Sequence, residues 1–389
     1  MPFDVVLLVD IAAIIIVAKV FGEIAERLRT DAMIGELIAG LLLGPMLAWV
    51  TPGPFLENLA FLGLLMLMFF IGLDVSYDDI KRHSYAGGVL ALFTSLFAFL
   101  AGLAFGFFVF NSMVIGAVIG VAIMGTSTAI PLKLTSKAGM IKTKLGQVMV
   151  SMSMADDIAT IIGLSILVKW LTSGNIEVVP AVTLMFAILG FILVIMAFGS
   201  KVIEKILNIF SKMKDEQMLV AIPLAIAFLI AYASEQLGIA ALIGTFLAGA
   251  AMSGNRHVKG SIEPKMRTIG YGFFIPIFFA YSAMIINLQS LLQYWWLMAV
   301  ITAIAILSKI LGVYASGGFY GFKGKEMGIL ALSTIPRGEY SIAIAQIMLG
   351  MSVIASEVYG ALIGMAIITI ILTPILLKAY TRRSYYAGF

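Results

Sequence analysis

The sequence predicts an all-α, polytopic membrane protein of about thirteen transmembrane helices, built as two inverted six-helix repeats with one interrupted helix in each. Three observations carry this reading. The first is composition: 61% of the 389 residues are hydrophobic and 12% charged, with a mean hydropathy of +1.08. Soluble domains carry roughly 25% charged residues. The second is the placement of Lys and Arg, which fall almost wholly on one side of the expected spans. The third is a pattern of short motifs that recurs at a nearly constant offset.

Taken in order, the apolar runs place spans at about 4–22, 33–50, 56–74, 86–110, 112–132, 145–170, 179–200, 217–236, 238–254, 269–287, 291–317, 326–349 and 353–379. The joints near 111 and 237 are tight enough for a helical hairpin or a re-entrant segment. The first run follows Asp4 and no Lys or Arg, and no cleavage site succeeds it, so it reads as a span rather than a signal peptide. Of the 25 basic residues, 21 lie in segments after odd-numbered spans, and only Lys169 lies in an even-numbered loop. Positive charge is retained on the cytoplasmic side. The N-terminus is therefore expected outside and the C-terminus in the cytoplasm. Lys19, Lys309 and Arg337 fall within spans. Lys19 is near enough to an end for its amine to reach the interface.

The repeat shows in "GELIAGLLLG" (35–44) against "GTFLAGAAMS" (244–253), and in "FFIGL" (69–73) against "FFAYS" (278–282), both offset by 209 residues. "STAIP", ending at Pro131, matches "LSTIP", ending at Pro336, at an offset of 205. Equivalent spans lie seven apart, an odd number, so the two halves must have opposite orientation. Inverted repeats of this kind are a common plan of secondary transporters. The expected organisation is one membrane transporter domain over 1–389 with repeats at about 4–170 and 217–379, a linker helix at about 179–200, and no soluble regulatory domain.

Chemistry is expected where the apolar pattern breaks. Gly125, Thr126, Ser127, Thr128 and Pro131 interrupt the fifth span; Ser333, Thr334, Pro336 and Gly338 interrupt the twelfth. Proline removes a backbone donor and frees a carbonyl. In lipid such backbone survives only where protein or a watery cavity satisfies it. Matched breaks in two repeats are a pointer to a midplane binding site. Asp156 and Asp157 lie near the middle of the sixth span, where an ionised carboxylate is costly and tends to face a pathway or a partner. Neighbouring helical residues point about 100° apart, so the two acids are expected to flank one cavity with different partners. Ser153 and Thr160, a turn away, can offer hydroxyls. Lys309 would lose its charge in apolar surroundings unless a carboxylate held it, which makes Asp156 or Asp157 its expected partner. Arg337 and Glu339 follow the second break; Glu339 is expected to balance a helix end or to orient Arg337.

The remaining candidates are weaker. Asp10 reads as structural, while Glu36 and Asp74 lie near cytoplasmic ends where they could line an entrance; His83 and His257 read as solvated loop residues. Cysteine is absent, and no phosphate-binding loop, zinc motif or serine-nucleophile motif occurs. These absences argue against an enzyme. The basic residues sit in short loops, which is not the signature of a nucleic-acid partner; the expected environment is membrane lipid.

"GTSTAIPLK", the "ADD" at 155–157, "SKILG" at 308–312 and "PRGEYS" at 336–341, in that order, resemble the monovalent cation:proton antiporter superfamily, in particular its second branch. The resemblance implies the NhaA/NapA architecture, with two crossed discontinuous helices in a core domain, a second domain that forms a homodimer, and residence in a prokaryotic plasma membrane. It places the ion-binding aspartate at Asp157, and at Asp156 an acid salt-bridged to Lys309 in electrogenic members. It implies no cofactor: Na+ (or K+ or Li+) and protons are the cargo. Sodium would be held by Asp157 with Asp156, Ser153 and Thr128. Potassium-efflux relatives typically carry an amide in place of the first acid, so the sequence favours electrogenic sodium/proton exchange, with an electroneutral potassium/proton exchanger as the alternative and a gated cation channel as a third reading.

Overall fold

The computed structural model describes residues 5–28, 30–74, 77–127, 143–173, 190–191, 194–210, 217–237, 239–255 and 258–381. All regular structure among them is helical. In chain order the helices are α1 (Val6–Arg27), α2 (Ala32–Leu41), α3 (Pro54–Asp74), α4 (Tyr77–Phe110), α5 (Met113–Ala122), α6 (Lys144–Ser173), α7 (Ser200–Phe210) and α8 (Met218–Gln236). They continue with α9 (Ala241–Met252), α10 (Glu263–Ile269), α11 (Ile275–Met284), α12 (Leu288–Gln293), α13 (Trp295–Gly317), α14 (Gly324–Ser333), α15 (Glu339–Gly350) and α16 (Ser356–Thr381).

Among the described residues, six helices are long and apolar enough to cross a membrane: Pro54–Asp74, Tyr85–Phe110, Lys144–Thr172, Met218–Gln236, Trp295–Tyr320 and Ser356–Tyr380. Ala32–Met46, Met113–Ala122 and Ala241–Met252 are shorter apolar segments. The expected seventh span, its linker role included, falls mostly outside the described residues, as do Thr128 and Pro131. Expected loop residues 201–210 instead form α7, in which Lys201, Glu204 and Lys205 alternate with aliphatic residues at helical spacing.

The chain divides into two compact units. The first comprises Met1–Ala18, Thr51–Ile80 and Leu164–Tyr281. In it, α3 and α9 meet through glycines: a Cβ on Gly72 would lie 2.0 Å from the Phe246 carbonyl oxygen, and one on Gly249 2.1 Å from that of Phe69. Small residues let helix backbones approach where hydrophobicity alone cannot drive association. At the end of α3, Asp74 accepts a hydrogen bond from Arg267 (2.5 Å), which also pairs with Glu263 (2.7 Å) one turn earlier on α10. The Arg267 guanidinium lies over the rings of Phe70 and Tyr271. Asp74, expected as an entrance group, is thus engaged in a charge and ring cluster.

The second unit comprises Lys19–Val50, Lys81–Gly163 and Ser282–Phe389. Glycine pairs Gly102–Gly120 and Gly106–Gly116 bring α4 against α5. A Cβ on Gly312 of α13 would lie 2.6 Å from the Cα of Thr94 on α4. Gly312 is one turn beyond Lys309, so this contact holds the lysine-bearing stretch of α13 against the Thr94–Ser95 stretch of α4. Lys19 reaches Glu36 (2.8 Å), whose side chain is buried while that of the lysine stays 40% exposed. That partner accounts for a carboxylate inside α2.

The α3–α9 contact leaves no room for a side chain. Gly249→Val is expected to destabilise the protein by about 1–3 kcal/mol, read as a lower thermal midpoint in detergent. Gly272→Ala, at a position with open space around it, is expected to leave the midpoint unchanged.

Candidate functional site

The second unit holds both breaks. α5 stops at Ala122, and Gly125–Ser127 run non-helically beyond it. α14 stops at Ser333, and helix resumes at Glu339 after the "TIPRG" stretch. The first interruption therefore begins well before Pro131. Gly125 permits it: a Cβ there would press on Thr160 Oγ1 at 3.1 Å and on Tyr340 Cβ at 3.2 Å.

The two breaks satisfy one another. The Ser127 backbone N–H donates to the Pro336 carbonyl (2.9 Å). Ser341 Oγ, on α15, donates to the Ala122 carbonyl that ends α5 (2.6 Å). Arg337 is fully buried; its Nη1 donates to Gly125 O (2.6 Å) and Thr126 Oγ1 (3.2 Å), and its Nη2 to Ala305 O on α13 (3.3 Å). The Arg337 backbone N–H is taken by Thr369 Oγ1 (3.0 Å). A positive group at these carbonyls also offsets the partial negative charge of the α5 C-terminus. This accounting is what apolar surroundings demand of irregular backbone.

Glu339 is tied to the first break. Its Oε2 accepts from Ser127 Oγ (3.2 Å), and it occupies the first turn of α15, where an acid suits the helix dipole. The hydroxyls of Ser333 and Thr334 donate to Leu330 O and Ala331 O of their own helix. They shape the helix end without reaching across to the first break. Thr160 likewise donates to the Asp156 carbonyl (2.7 Å).

Asp156 lies at the centre of the cluster and is fully buried, as is Lys309. Lys309 Nζ donates to Asp156 Oδ2 at 2.7 Å. Thr126 Oγ1 donates to the same oxygen (2.8 Å). Oδ1 accepts from Ser95 Oγ (2.7 Å) and Thr94 Oγ1 (3.2 Å). Four donors from α4, the first break and α13 thus converge on one carboxylate, the strongest pairing being charge-assisted. The chain Arg337–Thr126–Asp156–Lys309 links both breaks to the middle of α6. Asp157 and Ser153 are each 1% exposed on the same helix, and Asp157 lies within electrostatic reach of Lys309 and Tyr340.

Sequence reasoning missed Thr94, Ser95, Ser341 and Thr369. Adjacent hydroxyls in "LALFTSLFAF" were the available signal for the first two. Ser341 closes the quoted "PRGEYS" without standing out in it, and no local pattern marks Thr369; each serves a backbone group distant in sequence.

A family model described as "Sodium/hydrogen exchanger, transmembrane" matches residues 12–383. The Na+/H+–K+ antiporter GerN of Bacillus cereus is 28% identical, with 95% of each chain covered. A Na+/H+ antiporter of Enterococcus hirae is 27% identical, covering 97% of this chain and 99% of its own. Among solved structures, the sodium proton antiporter MjNhaP1 from Methanocaldococcus jannaschii at pH 8 superposes with a TM-score of 0.76 over 96% of both chains at 19% identity, a likeness of fold. The interrupted helices, the buried aspartate–lysine pair and a family match over nearly the whole length lead to one conclusion: the chain belongs to the sodium/hydrogen exchanger family, integral membrane transporters rather than enzymes.

Proposed function

We propose that the protein exchanges sodium for protons electrogenically by alternating access, with Asp157 as the cation-binding carboxylate and Asp156–Lys309 as the proton-coupled pair. One observation carries this reading: a lysine and an aspartate, both wholly buried, joined at 2.7 Å beside the second acid of α6. Such a pair is costly to desolvate and is seldom justified by stability alone. A sodium ion favours carboxylate and hydroxyl oxygens. Arriving at Asp157, with Asp156 and Ser153 near it, the cation adds positive charge beside Lys309 and weakens the lysine's hold on its proton. The proton leaves as the cation enters. When the cation departs on the other side, protons return and the Lys309–Asp156 pair re-forms. Because cation and protons compete for one coupled set of groups, only loaded forms cross and exchange is obligatory.

The finer architecture belongs to the same reading. About thirteen spans form inverted repeats in which the two breaks cross; the chain works as a homodimer in a prokaryotic plasma membrane, its N-terminus outside and its C-terminus cytoplasmic. The 209-residue motif offset and the mutual hydrogen bonding of the breaks support this. Thr128 is a further proposed sodium ligand. Potassium stays as the alternative cargo, supported by the double cation in the name of the Bacillus cereus relative.

The test is proton flux in proteoliposomes driven by Na+ or by K+, with the membrane potential clamped or free. The reading expects Na+-driven flux that responds to an imposed potential; K+-driven flux indifferent to potential would replace it with electroneutral potassium exchange. Asp157→Asn is expected to abolish exchange, measured against the same amount of reconstituted protein, and full activity of that variant would sink the assignment. Competition also fixes a pH trend. Below the pH at which protons begin to outcompete the cation, the KM for Na+ is expected to rise about tenfold per pH unit for one competing proton, while the maximal rate changes less.

A further inference from the structure

Tyr340 occupies the first turn of α15, next to Glu339. Its residue is 4% exposed, and its hydroxyl has no hydrogen-bond partner among the described residues. Buried tyrosine hydroxyls ordinarily find a partner, and leaving one without is destabilising. An orphaned polar atom in a native interior calls for an explanation, an ion being one.

The surroundings of this phenol point to which ion. The Tyr340 Cβ bears on Gly125 of the first break, where Thr160 of α6 also packs. Thr160 lies one turn from the two acids. Tyr340 is within electrostatic reach of Asp157 and of Glu339. The hydroxyls of Thr94, Ser95, Thr126, Ser127, Thr160 and Ser341 all donate to other groups; that of Tyr340 does not. The helix break and the glycine therefore seat Tyr340 against the stretch of α6 one turn from the two acids, with the hydrogen-bonding capacity of its buried hydroxyl unspent.

We infer that Tyr340 is a further cation-binding group, its phenolic oxygen completing the shell of the monovalent cation held at Asp157. This rests on the assignment of Asp157 as the ion-binding acid. A phenol lends lone pairs to a hard cation and keeps its O–H for a neighbouring carboxylate. It adds a ligand without adding charge, so it tunes affinity and leaves the ion-to-proton balance to Asp156, Asp157 and Lys309. It also gives the cation a direct hold on α15 just beyond the second break, which neither aspartate provides.

Tyr340→Phe removes only the oxygen. In proteoliposomes the variant is expected to raise the KM for Na+ about tenfold, by more than it lowers the maximal rate. In Na+-free detergent solution its thermal midpoint should equal or exceed that of the parent, because an unsatisfied hydroxyl has been deleted, and the rise in midpoint on adding Na+ should shrink. An unchanged KM would overturn the inference. So would a lower midpoint in Na+-free solution, which would assign the hydroxyl a structural partner. Asp157→Asn in the same assays separates the two claims: exchange surviving in that variant removes the ion-site assignment itself, whereas its loss alongside an unchanged KM in Tyr340→Phe removes only the role of the tyrosine.

Discussion

The ion pair between Lys309 and Asp156 is the interaction on which the site depends. Breaking such a pair by removing one member typically costs about 3–5 kcal/mol, because the other charge is left uncompensated. Here the remaining charge would not be bare. Asp156 keeps Ser95, Thr94 and Thr126 as donors, so the carboxylate retains hydrogen bonds while its lysine changes state. The lysine has no comparable cradle among the contacts described. On the proposed mechanism, that asymmetry makes Lys309 the member that lets go.

The second constraint is the need to satisfy irregular backbone in apolar surroundings. The fold meets it by reciprocity. Each break supplies donors to the other through Ser127, Ser341 and Arg337. Arg337 also reaches Ala305, one turn before Lys309 on α13. A shift of either break would therefore be felt at Thr126 and at the helix of Lys309. The glycines extend the same logic to packing. Gly125 lets the first break lie against Thr160 and Tyr340, and Gly312 seats α13 on α4. The Asp156–Lys309 pair and the helix breaks are one hydrogen-bonded object, an arrangement suited to the coupling proposed above.

Much of this was legible in the sequence. Long apolar runs gave helices close to their observed limits, as with α8 against the expected 217–236, because hydrophobic length is the strongest signal a membrane chain carries. Asp156, Asp157, Lys309 and Arg337 stood out because charge inside such a run is rare. The partners were less visible. Thr94 and Ser95 are unremarkable residues in a span, and their role appears only when Gly312 brings α13 onto α4. Glu339 was expected to balance a helix end or to orient Arg337; its contact with Ser127 of the other break, 212 residues away, had no local signal. Tyr340 reads as one more aromatic in an apolar segment; only its unspent hydroxyl sets it apart. Pattern reveals which residues are expensive, whereas their partners are set by tertiary contacts across 30 to 212 residues of chain.

The central claim is that Lys309 carries the charge that makes exchange electrogenic. Transient currents from proteoliposomes adsorbed to a supported membrane, recorded after a Na+ concentration jump, test it most directly when parent and Lys309→Gln are compared at equal Na+-driven proton flux. The account predicts a current in the parent and a current per transported ion that falls toward zero in Lys309→Gln, with exchange persisting. An undiminished current per ion in the variant would contradict it.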